Sequence, residues 1–144
     1  MTLLTKIIRM LQIVLTLLLA LAAFEGGIQL LIGFYIPPVE MLNGVFKDFT
    51  IPGLSLGTIV GGSALTAAIL SIRKNKFATL ACIACGLIIM FFEFIEMLVI
   101  GSPAGPARFM QIFFFGMGTL IIAASLVSWF LELLGQSSPQ YATN

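Results

Sequence analysis

In 144 residues, 60% of them hydrophobic and only 9% charged, the chain departs far from the soluble balance, in which about a quarter of residues carry charge. A net charge of +1 with seven Lys and Arg excludes a phosphate-binding face for nucleic acid. The absence of histidine excludes His-ligated haem, His-bearing zinc sites and Ser-His or Cys-His nucleophile pairs, and what remains is the composition of a membrane protein.

Lys6 and Arg9 open the first apolar run, which predicts a spanning helix near 9–34. Ala20-Leu21-Ala22 behind those charges also fits a cleavable signal peptide, but the run is read as a retained first span. The loop YIPPVEMLNGVFKDFT carries Pro37-Pro38 and an Asn43-Gly44 turn signal, so neither neighbouring helix continues through it. Its apolar Val39, Met41, Leu42, Val45 and Phe46 suit a segment lying along the membrane surface, with a short interfacial helix as one option. Thr50 stands where it can cap a second helix near 51–72, with Pro52 in the first turn. Arg73, Lys74 and Lys76 make a tight basic link to a third helix near 77–100, which Gly101 ends, and GSPAGPA turns the chain into a fourth near 108–134.

Each run reaches the roughly 20 residues that cross about 30 Å of hydrocarbon, and the alternation of barrel strands is absent. The expectation is therefore an all-α membrane fold of four transmembrane helices in an up-down bundle, a single domain over 1–134 followed by a polar, frayed tail, 135–144. Basic residues at the N-terminus and in the link outweigh Lys47 and Arg108 on the other side. Both termini are accordingly expected in the cytoplasm, and the location is the inner (cytoplasmic) membrane.

Gly53, Gly57 and Gly61 recur every four residues and leave one flank of the second helix nearly free of side chains. That suits close packing within the bundle, an oligomer interface, or a surface for a flat ligand. The pattern F-E-x-x-x-x-L-[LV]-I-G occurs at Phe24 to Gly33 and again at Phe92 to Gly101, suggesting two helical hairpins related by an axis along the membrane normal.

That repeat places Glu25 and Glu93 at one depth, roughly 12 Å below the outer boundary on a 1.5 Å rise. Glu96 lies a turn higher, with Gln29, Ser55, Thr58, Arg108 and Gln111 also in the outer half. The inner half holds little beyond Thr66, Ser71, Thr79, Cys82 and Cys85. An ionised carboxylate at the helix centre costs about 2.5–3.5 kcal/mol even on the insertion scale, so the glutamates are expected to turn inward and converge on a shared polar pocket, with Arg108 reaching Glu96. Such a pocket reads either as interhelical glue, or as a site for a hard cation, a proton relay or a lipid head group. Cys82-x-x-Cys85 has the spacing of a redox pair in form only, since it sits inside lipid without a second pair; buried packing is its reading. The phenylalanines at 91, 92, 94 and 113–115 read as lipid-facing and core contacts, and Trp129 as an interfacial anchor.

At Ile51-Pro52-Gly53-Leu54, Gly61-Gly62-Ser63-Ala64-Leu65, the short basic link, and Glu96 with Leu98-Val99-Ile100-Gly101, the chain resembles uncharacterised small bacterial four-helix integral membrane proteins, over roughly residues 50–112. The resemblance implies the four-span topology and no activity. With almost no mass outside the membrane, the chain is expected to be a non-catalytic accessory or scaffold subunit of a larger membrane assembly. The rival expectation is a binding or transport module for a small cation, proton or lipid built on the outer carboxylates. Expected partners are membrane lipids and either other membrane subunits or further copies of the chain; no nucleic acid, catalytic residue or metal-ligand set is expected, and the residues name no cofactor.

Overall fold

The computed structural model describes residues 3–34 and 36–136. It consists of four long helices, α1 (Leu3–Ile32), α2 (Thr50–Ile72), α3 (Ala78–Ile100) and α4 (Pro106–Gln136), each long and apolar enough to cross a membrane. Among the described residues there is no strand. Among the described residues, prolines are confined to loops and first turns, where Pro52 and Pro106 cost no helical hydrogen bond. Of the tail expected to be polar and frayed, residues 137–144 lie outside the described residues; α4 itself runs on to Gln136.

The helix ends follow local chemistry. At the end of α1, Gly33 takes φ 74°, and the Phe34 N–H closes back on the Gln29 carbonyl at 3.0 Å. A side chain at Gly33 would strain that turn. The link repeats the closure with Lys74 at φ 52° and Asn75 N–H on the Leu70 carbonyl, 3.0 Å. Asn75 Oδ1 then accepts from Phe77 N–H at 2.9 Å, just ahead of α3. α2 begins in a related way: Asp48 Oδ1 accepts from the Thr50 N–H at 2.9 Å, whereas the Thr50 side chain makes no cap. The expected Thr50 cap is thus replaced by an Asx turn two residues earlier, because a carboxylate there reaches the orphan N–H that a residue inside the helix cannot. In the loop between α1 and α2, Val39–Leu42 forms one turn of 3-10 helix.

The helices pack as a ring in which each touches its two sequence neighbours and α4 closes on α1. The diagonal α1–α3 contact is slight. Lipid supplies no hydrophobic drive between helices, so close van der Waals approach has to hold them, and glycines permit it. A Cβ built on Gly27 would stand 2.8 Å from the Gly53 carbonyl oxygen and 3.1 Å from Gly57 Cα, and one on Gly61 would stand 3.0 Å from the Phe24 ring. The small flank of α2 therefore lies against α1 of the same chain at Gly53 and Gly61. At Gly57 only the backbone takes part: its own Cβ direction meets nothing within 4 Å. A second crossing joins α3 to α4, where Gly86 and Gly118 would each place a Cβ 2.9 Å from the other's carbonyl oxygen.

Between these crossings lies a core of Leu15, Leu19, Val60, Ile89, Phe114 and Ile121. Large apolar side chains such as Leu21, Phe91 and Leu120 cover the outside of the bundle. The half of the bundle at the α2–α3 link is more polar inside than the sequence suggested. Gln12 Nε2 on α1 donates to Ser125 Oγ on α4 at 3.2 Å, and Ser71 on α2 lies 3.4 Å from Cys82 Sγ on α3. Gln12, Thr16, Ser71, Ser125 and Ser128 are all buried. Cys82 and Cys85 are free and buried in the core.

Candidate functional site

Two features of the loop end build a cavity between α2 and α3. The first is a π-helical segment, Leu56–Gly61, that interrupts α2. Such wide turns often mark functional sites in helices. Ser55 and Ile59, at and within this segment, face the cavity. The second is the loop, which folds back over the mouth. Asn43 Nδ2 donates to the Val99 carbonyl on α3 at 2.7 Å, and Asn43 accepts the left-handed conformation (φ 50°) that this requires. The turn beneath it buries Leu42, while Phe49 is buried just before α2.

The resulting cavity is about 810 Å³ and runs beside α3 from Leu87 to Ile100. On a 1.5 Å rise that is about 20 Å of helix, more than the roughly 15 Å of hydrocarbon in one leaflet. Its walls are aliphatic and aromatic, with Phe46, Phe91 and Phe92 prominent, and Ser55 and Glu96 are the polar side chains lining it. Apolar walls of this kind with few polar groups, in a volume within about 300–1,000 Å³, are the usual form of a small-molecule site.

A second, smaller recess of about 360 Å³, open to the outside of the bundle beside the exposed Ile112, lies between α3 and α4. Glu93, Ser102 and Gln111 supply its polar groups, and Met97, Ile112 and Phe115 its apolar walls. Glu96 stands between the two spaces: it lines the larger one and accepts a hydrogen bond from Gln111 Nε2 at 3.3 Å. Gln111 Nε2 also donates to the Gly101 carbonyl at 3.0 Å, which fixes the amide across the α3–α4 corner. Glu93 and Gln111 are nearly inaccessible, at 2% and 4% exposure.

The eight side chains expected to form one polar pocket are thus divided. Glu93, Glu96 and Gln111 come together. Ser55 is half-buried and joins only the large cavity. Thr58 is exposed and spends its hydroxyl on the Leu54 carbonyl at 2.6 Å. Glu25 is exposed on α1 and lines neither space; its hydrogen bond comes from Gln29 Nε2, one turn along the same helix, at 3.2 Å. The reason is rotational: Ala23 and Gly27 turn the packing face of α1 onto α2, and a residue two positions from either points away. Helices α1 and α3 are moreover diagonal in the ring. Equal depth in the repeated pattern therefore does not bring Glu25 to Glu93. Arg108 likewise does not take Glu96; its Nε and Nη2 donate to the Ser102 carbonyl at 3.1 and 2.6 Å. Gln111, nearly a turn further into α4, reaches the carboxylate instead.

Phe92 lines the large cavity and Phe114 is buried, whereas Phe94 and Trp129 are exposed. The loop clamp, Asn43 on Val99, had no signal beyond the turn-forming Asn-Gly pair. Nor did Gly27, whose partner on another helix is invisible in a linear pattern. Among the described residues, no three His, Cys, Asp or Glu side chains gather to hold a metal ion. No family model matches the chain, and neither a curated protein nor a solved structure matches it.

Proposed function

We propose that this protein is a non-catalytic lipid-binding module of the inner (cytoplasmic) membrane, holding the hydrocarbon chain of one lipid in the cavity between α2 and α3. The observation that carries the reading is the cavity itself: about 810 Å³, apolar along its length, with a loop clamped over one end and Ser55 and Glu96 as its polar lining. A hydrocarbon chain matches those walls, and a head group carrying hydrogen-bond donors finds acceptors at Glu96 and Ser55. Both termini lie in the cytoplasm in this reading, as the basic link and N-terminus favour, and the clamped loop faces outward. Native mass spectrometry after purification in mild detergent tests it. One lipid should stay bound per chain, and Ile59→Trp, which narrows the cavity beside α2, should weaken its retention. A lipid-free wild type, or retention equal in the variant, would refute the reading.

A second role, as an accessory or scaffold subunit or a homo-oligomer, is favoured by a different observation. Glu25 and Gln29 form a polar pair on the outside of α1 with Glu25 exposed, a costly arrangement against lipid that a protein partner relieves. Gly57 and Gly62, whose Cβ directions meet nothing within 4 Å, leave the neighbouring helix open to a close approach. Fixed stoichiometry with another membrane subunit in the same native spectra would support this role, and a lone monomer would speak against it.

A further inference from the structure

The polar lining of the large cavity is confined to one level. Ser55 lies near the start of α2 and Glu96 near the end of α3, so on a 1.5 Å rise both stand about 6–8 Å below the loop end of the bundle, one on each wall. The deeper lining, Ile59 on α2 and Leu87, Ile88, Phe91 and Phe92 on α3, is apolar. The cavity thus has a short polar end and a long apolar one.

Both polar groups keep an accessible oxygen without a partner in the protein. Glu96 is half-buried and accepts from Gln111 Nε2 on Oε1; Oε2 takes no hydrogen bond among the described residues, yet it is not among the oxygens sealed from solvent. The Ser55 hydroxyl is likewise unpaired and accessible. Thr58 and Ser63, further along α2, instead spend theirs on carbonyls of their own helix at 2.6 and 2.9 Å. The charge facing the cavity is also of one sign. Among the described residues Glu96 is the only charged side chain of the lining. Arg108 gives its guanidinium to the Ser102 carbonyl, and Lys47, next to Phe46 of the lining, is exposed outside it.

From this arrangement we infer that the cavity selects a lipid whose head group ends in a primary ammonium, held at Glu96 with Ser55 opposite. The inference rests on the lipid reading above and adds the head group to it. An ammonium brings three donors and one positive charge, which offsets the carboxylate inside the membrane and leaves a donor for Ser55 Oγ. A glycerol-phosphate head group brings net negative charge to a wall without a base, and a quaternary ammonium has the charge but no N–H to give. Ile51, Phe91 and Ile95 of the lining are exposed, so the cavity is open along one side and the lipid phosphate stays in the surrounding head-group layer. A Glu96 holding its own proton would show no preference among these charges, so the preference itself reports the carboxylate.

The test is a competition among lipids with identical chains. The purified protein in mild detergent is mixed with equal amounts of dioleoyl phosphatidylethanolamine, phosphatidylcholine and phosphatidylglycerol, and the lipid retained per chain is read by native mass spectrometry. The ethanolamine lipid should be retained about tenfold or more over each of the others, as a charge-assisted hydrogen bond supplies. Glu96→Gln, which keeps the shape and the bond from Gln111, should still hold lipid but retain all of them about equally, and Ser55→Ala should lower the preference by a smaller factor. Equal retention by the wild type overturns the inference and leaves the lipid reading standing, whereas retention of none overturns both. The wild-type competition decides this without any variant. A preference for phosphatidylglycerol, or one that survives unchanged in Glu96→Gln, also overturns the inference. Glycerophosphoethanolamine, the same head group without chains, should not displace the bound lipid; displacement would make the ligand a water-soluble amine and overturn the lipid as its source.

Discussion

Asn43 Nδ2 and the Val99 carbonyl, 56 residues apart, stand 2.7 Å from each other and join the loop to the last turn of α3. This bond converts a connecting segment into a cover over the α2–α3 cavity. Asn43→Ala should therefore leave the four helices folded while speeding hydrogen exchange over 39–46 and shortening the residence of bound lipid. Unchanged exchange in the loop would mean that the apolar contacts of Leu42 and Phe49 hold the cover without it.

The Gly27–Gly53 approach leads to a pair of opposed outcomes. Gly27→Val forces side-chain atoms against backbone 2.8 Å away and should destabilise the bundle by about 1–3 kcal/mol or more, read as a lower midpoint of thermal unfolding in detergent. Gly57→Ala, on the same stripe, points into open space and should cost no more than a few tenths of a kcal/mol as an ordinary surface substitution, or none given the better helix propensity of alanine. Equal losses at both positions would show that the stripe is buried on two sides, as in an oligomer.

Gln12 and Ser125 give a smaller effect than their burial suggests. Ser125 also donates to the Ile121 carbonyl at 2.7 Å, so Gln12→Leu strands no hydroxyl donor on α4. The cost should be about 0.6 kcal/mol and no more than about 1.7, the range of interhelical hydrogen bonds in membranes. Equilibrium unfolding in mixed micelles measures it.

Asp48 ties the start of α2 to pH. The Thr50 backbone N–H, then the Thr50 hydroxyl, hold its carboxyl below the ordinary aspartate range. A lowered pKa means that this support is complete above the unfolded-state value and is lost as the pH falls through the lower, folded-state value. Acidification below the ordinary aspartate range should therefore speed exchange at the Thr50 amide, and Asp48→Ala should do the same at neutral pH. Exchange that does not respond to either change would leave the Asx turn without a role in starting the helix.

The four helices were legible because each is a long apolar run closed by turn chemistry, and both signals are local. Gly101, Asn43-Gly44 and the basic link mark the chain at the points where it turns. The site was legible only where its partners share one hairpin: Glu93 and Glu96 lie on one helix, and Gln111 follows across a short corner. What remained hidden is helix rotation. Glu25 holds the place of Glu93 in the repeated pattern yet faces outward because Gly27, whose importance lies in what it meets on α2, fixes the orientation of α1. The buried Gln12–Ser125 pair was hidden for the same reason, as two ordinary polar residues 113 positions apart.

The most direct test of the lipid reading distinguishes a held lipid from the bulk lipid around any membrane protein. A photoactivatable diazirine side chain in place of Ile88, which lines the cavity, is compared with one in place of Leu120, exposed near the middle of α4. After illumination in intact membranes, the lipids attached at each position are identified by mass spectrometry. The cavity position should capture one lipid class far out of proportion to its abundance, while the position on α4 reports the bulk composition. The same distribution at both positions would contradict a lipid site between α2 and α3.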